Sequence, residues 1–141
     1  MDKIYVPGKG AYSPKIMFIG EAPSYDEVQT LTPFTGPSGR FLDQILKDVG
    51  ISRSACWLTN VSKYMVTPNS KNGRPIPFSV RAERDGINLE EQIDELRKEI
   101  DTIKPNIIVP LGGTALWAIT GKKKPVIFKV KKTLIEISRG S

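Results

Sequence analysis

Three side chains in the first sixty residues have the chemistry to hold and attack a flat, polar ligand. Glu21, in "GEAPSYDE" (20–27), can serve as an acid, a base or an electrostatic stabiliser. Phe34, in "TPFTGPSGR" (32–40), offers a flat stacking face between stiffening Pro33 and the flexible Gly36 and Gly39, which allow close backbone approach to a ligand. Asn60, in "LTNVSKY" (58–64), carries one acceptor and two donors, the set needed to read the amide-like edge of a pyrimidine. The chain contains no histidine, so the commonest general base and metal ligand is missing from any mechanism these residues perform. Carboxylates, amides and backbone must do the work.

The surrounding pattern explains how these groups could meet. "KIMFIG" (15–20) and "IIVPLGG" (107–113) are short apolar runs that end in glycine, and "CWLTNVSKY" (56–64) is rich in residues that suit a pleated surface. All three read as strands. Helices are expected at 38–49, before Gly50, at 88–103, where Leu89, Ile93, Leu96, Ile100 and Ile103 recur at helical spacing, and at 113–120. Alternating strands and helices predict an α/β fold, a parallel sheet covered on both faces, with sites at the carboxyl ends of its strands. Gly20 and Asn60 fall at two such ends. The stretch 67–86 reads as a long polar loop, Asp26 and Glu27 as a solvated helix start from which either could assist Glu21, "LGGTALW" as a tight turn with core packing, and Cys56 as a small buried hydrophobe.

Length and composition bound the rest. The 141 residues suit a single domain, and 39% hydrophobic with 26% charged residues is a globular composition. No apolar run nears the ~18 residues needed to cross a bilayer. The start "MDKIYVPGKG" lacks a secretory core, and one cysteine cannot form an internal disulfide, so a cytoplasmic, monomeric protein is expected. Twenty-one Lys and Arg against fifteen Asp and Glu give a net charge of +6, which favours a polyanionic partner.

"GEAPSYDE", "TPFTGPSGRFLDQIL", "LTNVSKY" and "IKPNIIVPLGGTALWAITG" follow one another in an order and spacing that resembles the uracil-DNA glycosylase superfamily, its family 4 above all. The resemblance runs from about Lys15 to Gly121. It implies a three-layer α/β/α fold, with a short central parallel sheet, that removes a flipped uracil from DNA by hydrolysing its N-glycosidic bond. Glu21 falls on the acid that organises the hydrolytic water, and Gly20 and Ala22 on backbone that holds one edge of the base. Phe34 falls on the ring that stacks on uracil, and Asn60 on the amide that accepts uracil and rejects cytosine. Gly36, Ser38, Gly39 and Arg40 fall on the loop that skirts the phosphates, and Lys63 on a lysine beside the site. A basic rim built from Arg40, Lys63, Lys71, Arg74 or lysines 122–124 could track the DNA backbone.

Three departures from the family pattern carry expectations of their own. Family 4 members hold an iron–sulfur cluster on four cysteines, whereas this chain has Tyr64 at one of those places and Cys56 alone, so no metal or other cofactor is expected. Ser24 replaces a motif glycine. The last motif, a histidine loop, has no counterpart before Ser141, so the chain is expected to be truncated, lacking its last strand and active weakly or not at all by itself. Two other classes stay open: a non-catalytic DNA-binding module within a larger replication or repair protein, and a different nucleotide-binding α/β protein. "GPSGR" matches neither the Walker nor the dinucleotide pattern.

Overall fold

The computed structural model describes residues 3–14, 16–68 and 74–121. Lys71, lysines 122–124 and the expectation about a last strand lie outside these residues. Among the described residues four strands form one sheet: β1 (Lys9–Gly10), β2 (Ile16–Gly20), β3 (Trp57–Asn60) and β4 (Ile107–Pro110), in the order β1-β3-β2-β4. The central β2 pairs in parallel with both β3 and β4. The sheet is not wholly parallel, because β1 pairs antiparallel with β3 along one edge. Two residues are too few for an alternating pattern, so the sequence gives no warning of this strand.

The described α-helices around the sheet are α1 (Tyr25–Thr30), α2 (Pro37–Val49), α3 (Phe78–Arg84), α4 (Leu89–Ile103) and α5 (Gly113–Thr120). Side chains alternate across β2 and sort the core into two layers. Phe18 packs with Leu42 and Leu46 of α2 and with Leu58 on one face. Met17 and Ile19 pack with Leu96 and Ile103 of α4 and with Ala115 and Ala118 of α5 on the other. The result is the expected three-layer α/β/α arrangement. Local chemistry sets the helix ends: Pro37 occupies the first turn of α2 and Gly50 closes it with φ of 73°, while the Asn88 side chain accepts from Glu91 N at the start of α4.

The expected loop at 67–86 instead contains α3. Phe78 and Ala82, four residues apart, are buried with Val66 and Ile87 in a small satellite core. Flanking prolines and a mostly polar composition mask that single apolar pair.

Candidate functional site

Strand register assembles the site. Gly20 lies opposite Asn60 across the β2–β3 pair, and the ladder runs past both strand ends: Val61 N donates to Gly20 O at 2.9 Å and Ser62 N to Glu21 O at 3.0 Å. On the other side of β2, Leu111 N donates to Ile19 O at 2.8 Å. Glu21, Asn60 and the turn before α5 therefore meet at one end of the sheet. Gly112, with φ of 96°, makes that turn.

Between them opens a cleft of about 450 Å³, lined by Gly20, Glu21, Ala22, Phe34, Ser38 and Asn60 among others. Six of the ten candidate residues thus share one cavity. Glu21 is half-exposed into it, its Oε2 accepting from Thr114 Oγ1 at 2.5 Å and its Oε1 facing Arg81 Nη2 at 3.5 Å. Arg81 arrives already held: Nε donates to Ile76 O, Nη1 to Thr67 O, and the guanidinium lies over the Phe78 ring. A carboxylate fixed at both oxygens is aimed rather than free to swing.

Asn60 is only 5% exposed, yet among the described residues its side-chain amide makes no hydrogen bond. Its donors and acceptor remain available to a ligand in the cleft. Phe34 is equally buried, and its ring lies against Gly20, where an added Cβ would come within 2.9 Å of the ring and 2.5 Å of Asn60 Oδ1. Glycine at position 20 is what lets ring and amide converge.

Against this geometry, the sequence profile of the uracil DNA glycosylase superfamily matches residues 7–137. The chain belongs to that superfamily. It is 34% identical over 138 residues to a type-4 uracil-DNA glycosylase of Archaeoglobus fulgidus, covering 96% of this chain and 63% of that protein. A type-4 uracil-DNA glycosylase of Thermotoga maritima is also 34% identical, over 93% of this chain and 62% of its own length. A DNA polymerase of Bacillus phage SP01 is 30% identical over 92% of this chain, which corresponds to 13% of the polymerase. The chain thus spans about three-fifths of the length of the first two relatives.

Several superfamily positions sit differently from expectation. Lys63 is not on a basic rim. It is 2% exposed, with Nζ donating to Asn60 O at 2.7 Å and paired with Glu99 at 3.0 Å, and so has no reach to a phosphate. Glu99 also accepts from Trp57 Nε1 and Thr59 Oγ1, so three donors converge on the carboxylate of the buried pair. Gly39 lies within α2, where a Cβ would collide with the Phe34 carbonyl, and a Cβ on Gly36 would crowd Asp26, Glu27 and Ser24. The close approaches these glycines permit are to their own chain. Ser38 and Arg40, by contrast, stand exposed on the first turn of α2.

Glu27 is likewise not solvated. It is buried at the cleft wall, accepts a hydrogen bond from Ser24 Oγ, and so places a second carboxylate in the site. The serine that departs from the family pattern has a partner here. Sequence reasoning missed Thr114 and Arg81, which fell in segments read as a packing turn and a loop. Cys56 is buried against the α2 layer, as expected, and burial pushes its thiol pKa up. One buried, protonated thiol does not fit a four-thiolate iron–sulfur cluster, and no step is routed through one.

Proposed function

We propose that this domain excises uracil from DNA, as part of a monomeric cytoplasmic repair protein. The observation that carries the reading is the convergence of the Asn60 amide, the Phe34 ring and the anchored Glu21 on one cleft. An N-glycosidic bond breaks with positive charge growing on the sugar and negative charge on the departing base. Glu21 stabilises the sugar side and orients the attacking water. Phe34 stacks on the base once it has left the helix. Asn60 offers its N–H to a uracil carbonyl, and its oxygen to the ring N–H. Cytosine fails this test because its amine presents a donor where uracil presents an acceptor. Ser38 and Arg40 at the first turn of α2 steer the backbone toward the cleft.

The test incubates the protein with a single-stranded oligonucleotide carrying one uracil and scores abasic sites by alkaline cleavage. Glu21→Gln should lower the rate ~10²-fold or more, and Asn60→Ala should lose the preference for uracil over cytosine. Unchanged rates in both variants would overturn the assignment. The match that covers 13% of a phage DNA polymerase favours a second reading, a DNA-binding module without chemistry. In that case the wild type binds the uracil strand and yields no abasic sites even when the chain is extended past Ser141, whereas the glycosylase reading expects the extended chain to excise uracil.

A further inference from the structure

Phe34 is an aromatic residue held in a backbone conformation that aromatics avoid. Its φ is 58°, in the left-handed region, and its ring is buried against Gly20. Such a conformation persists only where neighbours hold it, and such residues gather at binding sites. The neighbour here is Arg53, on the short 3-10 turn Arg53–Ala55 that leads into β3. Its Nη2 donates to Pro33 O at 2.8 Å and to Phe34 O at 2.6 Å, the two carbonyls that flank the Phe34 amide and side chain. Its Nη1 donates to Asp43 of α2 at 2.7 Å. One planar guanidinium therefore ties the Phe34 turn to α2 and to the strand that carries Asn60. A lysine, with a single nitrogen, lacks the fork to reach all three acceptors.

We infer that Arg53 is a positioning residue for the cleft, acting through Phe34: it sets the turn that lays the ring on Gly20 beside Asn60. The ring's place decides whether a base entering the cleft meets its face, so Arg53 governs base affinity without touching the base. The inference rests on the base-binding reading of the cleft for its consequence, but not for its geometry. Asp43 serves only to tether the other end of the guanidinium.

The experiment compares the wild type with Arg53→Gln, Arg53→Lys and Asp43→Asn by nuclear magnetic resonance and by titration with free uracil. In the wild type, nuclear Overhauser contacts between the Phe34 ring and the Gly20 α-protons should be strong. Both Arg53 variants should lose them while the β2–β3 contacts persist, and should weaken uracil binding by about tenfold, the loss expected for one hydrogen-bonding anchor. Asp43→Asn should leave the ring contacts in place. In a Phe34→Ala background, Arg53→Gln should weaken uracil binding no further, whereas a merely structural role would add its cost in both backgrounds. Persistence of the ring contacts in a folded Arg53→Gln or Arg53→Lys protein overturns the inference. A wild type that shows the ring contacts but binds no uracil refutes the base-binding reading, and the ring contacts of the variants still decide the role of Arg53.

Discussion

Thr114 Oγ1 donates a 2.5 Å hydrogen bond to Glu21 Oε2 across 93 residues of sequence. With Arg81 on the other oxygen, it leaves the carboxylate one orientation. Thr114→Val keeps the shape of the side chain and removes the donor. The proposed uracil excision should fall by about tenfold, the value of one charge-assisted hydrogen bond, while the melting temperature shifts by only a few degrees. Single-turnover rates and a thermal melt on the same preparation check this, and an unaltered rate would show that Glu21 needs no such brace.

The Lys63–Glu99 pair beneath Asn60 makes a different prediction, about stability. Glu99→Gln leaves a buried ammonium without its counter-charge, which typically costs about 3–5 kcal/mol. Lys63→Met together with Glu99→Gln removes the stranded charge and should cost clearly less. Urea unfolding midpoints of the two proteins give the order directly. If the double variant is the weaker, the pair is not behaving as a buried ion pair.

Asp85 ties the segment after β3 to the end of α3. Its carboxylate accepts from Thr67 N at 2.6 Å and from Thr67 Oγ1 at 2.9 Å, and the backbone N–H, the largest cause, lowers its pKa. A carboxylate held lower in the folded state adds stability above its unfolded pKa of about 4. That contribution fades as pH falls through the lower folded value. The Thr67 amide resonance should therefore titrate below pH ~4, and Asp85→Asn should abolish the transition. A Thr67 midpoint at the ordinary aspartate value would contradict the tie.

Much of this arrangement was legible because it is periodic or stands at a strand end. α4 declares itself through Leu89, Ile93, Leu96, Ile100 and Ile103, and Gly20 and Asn60 occupy the carboxyl ends where a parallel sheet gathers its functional groups. The features that escaped depend on tertiary partners. Lys63 has the residue type of a surface cation, and the counter-charge that makes its burial tolerable, Glu99, comes 36 positions further on. Phe34 lies in the core and lines the cleft at once, so its burial does not remove it from the site. Arg81 belongs to a helix that two side chains hold in place, below what a pattern of apolar spacing detects. Thr114 looks like any small residue after a glycine turn, until β4 pairs with β2 and carries it to Glu21.

The position of β2 between β3 and β4 also orders events in time. Both of its pairings are parallel and therefore non-local, and contacts of this kind form late and slowly in folding. During synthesis Glu21 leaves the ribosome long before Thr114, and Phe34 before Arg53 and Asn60. An incomplete chain holds every attacking or stacking group of the cleft with none of the braces that aim them. The cleft therefore takes shape only once β4 has paired with β2 and α5 has brought Thr114 to Glu21.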